Sequence, residues 1–291
     1  MQWIVALLVA VGLAAQTPPP ARATFDNPDW TAPETPFTIV GPIHYVGTKD
    51  LAVYLITTPA GHILIDGGVP GTEALIDKSI RTLGYKPEDI KILLTTQAHF
   101  DHVGTLAHFA ALSHGSVRIM QGDDRIVADG GASDYLFGAQ TDLHFTPVKI
   151  DVVLKEGDVI TLGGVSLTAL RTPGHTRGSA SYTMSVADGG KTYSVLFPSS
   201  TTVNAGTRLV KHPSYAGILD DYRTTLDRLD AMKPDIFLAQ HASAFDLAGK
   251  RARMKTEGAR AFVDPDGYRR LNAQKREALE ALVKKENAAA P

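Results

Sequence analysis

Three segments of this 291-residue chain run from an apolar, β-branched stretch directly into histidine. "IKILLTTQAHFDHVG" reaches His99, Asp101 and His102, "VSLTALRTPGH" reaches His175, and "DIFLAQH" reaches His241. Short apolar runs bounded by turn residues read as buried strands. A sheet holds the ends of its strands in fixed positions, so side chains that follow them can be aimed at one point from distant parts of the chain. Strand ends are also where open α/β sheets place ligands. Gly174, beside His175, permits the tight backbone turn that such convergence needs.

The remaining segments supply the rest of a layered fold. "FTIVGPIHYVG" and "LAVYLITTPAGHILIDGG" read as strands, the latter pair joined by a Pro-Ala-Gly turn. "TEALIDKSIRTLG" reads as an amphipathic helix closed by Gly84, and "LAHFAALSHG" as a helix leading to the strand "VRIM". From Val152 strands resume, with hairpin signals at Gly163-Gly164 and Asp188-Gly189-Gly190. Helices are expected over Asp220–Met232 and from about Gly267 to Glu286. Residues 123–147 are irregular and rich in Gly, Asp and aromatics, and a long loop of that kind is often functional. Two strand-rich halves, each carrying helices, predict an α/β sandwich.

The first residues, "MQWIVALLVAVGLAAQTPPPARA", join an apolar core from Trp3 to Ala15 to a Pro-rich spacer and a small-x-small site at Ala21-Arg22-Ala23. This pattern reads as a signal peptide over residues 1–23, ahead of one domain over residues 24–291. The apolar run is shorter than the roughly 20 residues of a spanning helix. Export to the periplasm, with no stable membrane anchor after processing, is the expectation. Lys plus Arg total 29 against 31 Asp plus Glu, a net charge of -2, so no basic footprint for nucleic acid is present. The expected partner is a small molecule, and the expected state a monomer.

The chain has no cysteine, which removes disulfides, thiolate ligands and a cysteine nucleophile together. Any metal must be held by His, carboxylate or amide, a donor set that suits zinc. Six side chains make two sites: Gln97, His99 and His175 for one, Asp101, His102 and His241 for the other. A zinc pair roughly 3.5 to 4 Å apart can hold a hydroxide on one ion and stabilise the leaving group on the other, which is hydrolytic chemistry.

The run "QAHFDH" resembles the H-x-H-x-D-H signature of the metallo-β-lactamase superfamily. "WTAPETPFTIVGPIHYVGT", "LAVYLITTPAGHILIDGG", "TTQAHFDHVG", "TPGHTRGS" and "FLAQHASAFDL" resemble successive landmarks of its subclass B3, covering nearly the whole chain after residue 29. The resemblance implies a four-layered αββα sandwich with a dinuclear zinc site at the sheet edges. It assigns His99 and His175 to the first zinc, and Asp101, His102 and His241 to the second. Gln97 stands where most members have His and is similar to a small branch of active enzymes with Gln there. An amide oxygen is a neutral and poorer donor than imidazole, so one or two zinc ions per chain are expected, with the Gln97 site the weaker.

The activity so implied is hydrolysis of the β-lactam amide of penicillins, cephalosporins and carbapenems by a metal-bound hydroxide. Asp101 is expected to be both ligand and catalytic residue, fixing the hydroxide. Many superfamily hydrolases of other substrates bridge their metals with an Asp after the strand between the second and third ligand segments. Here no Asp or Glu lies between Asp188 and Asp220. A lactonase or amidase on the same scaffold is the alternative. By the resemblance, Ser199 and Thr201 are placed against the substrate carboxylate, and Asp66 in "LIDGG" lies beneath the ligands to orient one of them. His44, His62, His108, His114, His144 and His212 have no comparable setting, and most are expected at the surface or in loops.

Overall fold

The computed structural model describes residues 27–288, so the leader expected over residues 1–23 lies outside the described part. Seven strands form one sheet in sequence order: β1 (Phe37–Val40), β2 (Ile43–Tyr45), β3 (Tyr54–Thr58), β4 (Gly61–Ile65), β5 (Ile90–Leu94), β6 (Ser116–Met120) and β7 (Val152–Leu154). The first four pair antiparallel through short turns, whereas β4 to β7 pair parallel because helices carry the chain back between them. Those helices include α1 (Glu73–Thr82), α2 (Phe100–Val103), α3 (Leu106–Ser113) and α4 (Asp124–Ala128).

The second sheet holds β8 (Val159–Leu162), β9 (Val165–Arg171), β10 (Ala180–Asp188), β11 (Lys191–Phe197) and β12 (Ile236–Phe237), ordered β12-β11-β10-β9-β8. It is antiparallel except where β12 pairs parallel to β11 after the helix α5 (Ile218–Ala231). Two helices, α6 (Leu247–Glu257) and α7 (Pro265–Ala288), complete the chain.

Strand alternation sorts the layers. In β4, Ile63 and Ile65 face the second sheet, joining a core with Tyr182, Val195 and Phe197, while Leu64 faces the other way. In β3 and β5 the same split sends Ile56 and Leu94 inward and Leu55 and Leu93 outward, onto Ile76 and Ile80 of α1 and Phe109 of α3. Outside the second sheet, Tyr222 and Leu226 of α5 pack with Leu279 and Val283 of α7. The result is the expected helix–sheet–sheet–helix order, with ordinary hydrophobic burial on both faces of the first sheet.

One expectation needs correction. The strand read over "DIFLAQH" is regular only at Ile236–Phe237; beyond it the backbone serves other partners, with the Gln240 carbonyl accepting from Ala52 N at 3.0 Å and Tyr54 Oη donating to the Ala239 carbonyl at 2.5 Å. Most histidines outside the site lie at the surface or in loops as expected, with His108, His114 and His212 exposed; His44 and His62 are buried in β2 and β4, with ring centroids 5.0 and 5.2 Å from Tyr85. Among the described residues no helix is long and apolar enough to cross a membrane.

Candidate metal centre

The loop after β5 carries four of the six candidate ligands, and Asp66 sets its course. Asp66 follows β4 with φ 63°, a left-handed conformation that Asp tolerates better than most residues. Its buried carboxylate accepts from Thr95 Oγ1 at 3.0 Å, Thr96 N at 2.7 Å and Thr96 Oγ1 at 2.8 Å. Tyr182 Oη, from the second sheet, donates to the Thr95 carbonyl at 2.9 Å. The start of the ligand loop is therefore tied to both sheets.

A second buried carboxylate joins this loop to the one bearing His175. Asp123 accepts from Ala98 N at 2.9 Å, Gly178 N at 2.7 Å and Thr176 Oγ1 at 2.5 Å. Burial pushes its carboxyl up to about 6 against those hydrogen bonds.

The ligand candidates form two adjoining groups. His99 Nδ1 and His175 Nε2 face one another at 3.1 Å. His175 Nδ1 donates to the Thr202 carbonyl at 2.6 Å, which fixes the tautomer and leaves Nε2 a lone pair. Burial, followed by the neighbouring His99, lowers the His175 ring to about 3, so it stays neutral. Gln97 Oε1 accepts from Ser200 N at 3.1 Å, so one of its lone pairs is already engaged.

In the other group, Asp101 Oδ2 lies 3.1 Å from His102 Nε2 and 3.5 Å from His241 Nε2. Burial disfavours charge on both Asp101 and His102, yet their attraction prevails, holding the Asp101 carboxyl well below its usual range and raising His102 to about 10. His241 Nδ1 donates to Asp50 Oδ2 at 3.1 Å, again leaving Nε2 as the acceptor. Asp66 Oδ2 stands 3.4 Å from His102 Nδ1, in the position expected of a carboxylate that orients a ligand.

This donor set fits a divalent cation. The ligand atoms of Asp101, His102 and His241 all lie within 4.8 Å of one another. Donors about 2.1 Å from one tetrahedral ion stand roughly 3.4 Å apart, close to the distances found. Nε2 of His102, on the side of Asp101, is buried without a hydrogen-bond partner, a cost that coordination would relieve.

A family model described as the metallo-β-lactamase superfamily matches residues 50–241. The chain belongs to that superfamily. Solved members with the same layers include the native FEZ-1 metallo-β-lactamase from Legionella gormanii, 38% identical with a TM-score of 0.87 over 89% of this chain and 99% of that one. The class B3 di-zinc metallo-β-lactamase LRA-12 from an Alaskan soil metagenome is 37% identical, with a TM-score of 0.85 over 89% of this chain and 97% of that one. Among curated relatives, the acyl-coenzyme A thioesterase MBLAC2 of Gallus gallus is 35% identical over 97 residues, 30% of this chain and 35% of that protein. The chain spans between about a third and about half the length of the first curated relatives it matches. The superfamily, the layers and the structural neighbours make the protein a hydrolase, and its Asp101, His102 and His241 cluster is a donor set of the kind that holds a metal ion.

All six candidate ligands but His102 border one cavity of about 640 Å³, together with Trp30, Phe137 and the segment Pro198–Thr202. His102 lies fully buried behind it. Phe137 comes from the irregular segment 123–147, which therefore forms part of the wall; its ring stands 5.0 Å from that of His99. Ser199 and Thr201 also line the cavity, but the Ser199 hydroxyl is committed to Thr172 Oγ1 at 2.8 Å.

Sequence reasoning missed Asp50, Asp123 and Asp134. Asp134 Oδ2 is 3.6 Å from His99 Nε2, and burial opposed by contact with His99 leaves its carboxyl below the usual value. None of the three sits in a motif. Only Asp123, three residues beyond the end of strand β6, lies near a strand end, a place that could have drawn notice.

Proposed function

We propose that this protein is a zinc-dependent β-lactamase, opening the lactam amide of penicillins, cephalosporins and carbapenems. The observation that carries the reading is the convergence of two His-rich donor groups on one cavity, in a chain similar to β-lactamases over nine-tenths of its length. Asp101, His102 and His241 would hold one zinc, and His99 and His175, with Gln97, a weaker second. Bound there, zinc supplies Lewis acidity and makes a water acidic near neutral pH.

The chain's own residues supply the rest. Asp50 and the Thr202 carbonyl each hold one ligand ring in a single orientation, and Asp66 stands 3.4 Å from a third, so the site is preorganised. Asp101, held ionised, offers a carboxylate oxygen that orients the proton of an attacking water. Trp30 and Phe137 shield the cavity from bulk solvent, which strengthens electrostatic interactions inside it.

A second reading, a thioester or lactone hydrolase, draws on the partial likeness to MBLAC2. The lack of any carboxylate between Asp188 and Asp220 favours the first. Initial rates on a carbapenem and a cephalosporin, titrated with zinc from the metal-stripped protein, test the choice. Activity saturating near one zinc per chain is expected. Absence of ring opening at every zinc level, with turnover of thioesters or lactones, would reverse the assignment.

A further inference from the structure

Helix α7 presents a buried stripe of Tyr268, Asn272, Leu279 and Val283, at helical spacing. Lys275 stands on the same stripe, three residues after Asn272 and four before Leu279. An apolar residue is the usual occupant of such a position. Lys275 instead reaches the cavity, where it is the one Lys or Arg among the described residues that line the wall. Its Nζ donates to Thr202 Oγ1 at 2.8 Å, and among the described residues no carboxylate lies within 4.0 Å to pair with it. Burial lowers its ammonium from the usual lysine value.

Thr202 links this cation to the metal centre. Its carbonyl accepts from His175 Nδ1 and from Tyr222 Oη at 3.0 Å, while its hydroxyl accepts from Lys275. The ammonium is therefore held one residue away from a candidate zinc ligand. A partly desolvated cation whose only fixed partner is a neutral hydroxyl gains more from an entering anion than a solvated surface lysine does.

We propose that Lys275 is a specificity-determining residue that receives the carboxylate of the substrate while the lactam carbonyl lies at the metal centre. This rests on the β-lactamase reading, since penicillins, cephalosporins and carbapenems all carry a carboxylate beside the lactam nitrogen. The Thr202 hydroxyl keeps the ammonium aimed at the cavity between turnovers. The contact is made before ring opening and persists through it, so it acts mainly on substrate binding and less on the chemical step.

The test compares benzylpenicillin with its methyl ester on the zinc-loaded wild type, Lys275→Met and Lys275→Arg. For the acid, Lys275→Met should raise KM about tenfold, the worth of one charge-assisted hydrogen bond, with a smaller fall in kcat. The acid-to-ester ratio of kcat/KM should collapse in Lys275→Met and largely return in Lys275→Arg. A tether that only holds Thr202 in place would impair both compounds alike, and an unchanged ratio overturns the proposal. If the wild type turns over neither compound, the β-lactamase reading fails. Quenching of Trp30 fluorescence on the same proteins then gives the acid-to-ester ratio of Kd, and loss of acid preference in Lys275→Met still supports the carboxylate site, whereas no preference in the wild type overturns it.

Discussion

Asp50 and His241, 191 positions apart, are joined by a hydrogen bond of 3.1 Å from the ring Nδ1 to the carboxylate. Ser243 N and Trp30 Nε1 donate to the same carboxylate at 3.0 and 3.2 Å, so it is itself held in place. The His241 ring therefore has one orientation and one tautomer available before any metal arrives.

Asp50→Ala should accordingly weaken zinc binding by about 10- to 100-fold, the usual effect of removing a carboxylate behind a ligating histidine. Competition with a chromophoric chelator measures it. An unchanged affinity would mean that His241 is either oriented by other contacts or not a ligand.

Gln97→His should strengthen the group formed with His99 and His175, since imidazole is the better donor and the engaged amide oxygen is removed. Zinc content after dialysis at limiting metal should rise from near one to near two per chain. A content that stays near one would show that something other than the amide limits this group.

Gly104 follows α2, the short helix that carries Asp101 and His102, and an added Cβ there would overlap the backbone of Val69 and Pro70. Backbone cannot yield as a flexible side chain can, so Gly104→Ala should destabilise the fold by about 1 to 3 kcal/mol. Chemical denaturation reads the loss. The same variant should also bind zinc less well, because relieving the overlap displaces α2.

His44 gives a pH dependence with a definite sign. Burial, and then the neighbouring His62, lower its ring from 6.5 to about 4. Between those values the unfolded chain binds the extra proton and the folded one does not, so this contribution to stability is complete above pH 6.5. It declines as pH falls toward 4 and levels off below. His44→Gln should therefore show a smaller drop in Tm over this window, read as the difference between the two thermal-melt profiles. Parallel profiles would rule out His44 as a source of acid sensitivity.

The ligand types, their places after strands and the two strand-rich halves carrying helices are legible in the sequence because each is local, whereas the four-layered order was implied by the family resemblance. β-Branched alternation marks β4 and β5, Gly174 marks a turn, and "QAHFDH" packs its donors into one loop. What tertiary structure alone decided is which distant groups stand behind those ligands and which way each side chain faces. Asp50 reaches His241 only because β-bridge pairing of Leu51 with His241 brings the two segments side by side. Ser199 turns to Thr172 while Thr202 meets Lys275, a choice set by the backbone course after β11 that residue type cannot reveal. Lys275 reads as one charge among many in a Lys- and Glu-rich helix until the packing of Asn272 and Leu279 aims it into the cavity. Periodicity is a property of neighbours in the chain, whereas a site is a property of neighbours in space, and only the folded sheets convert one into the other.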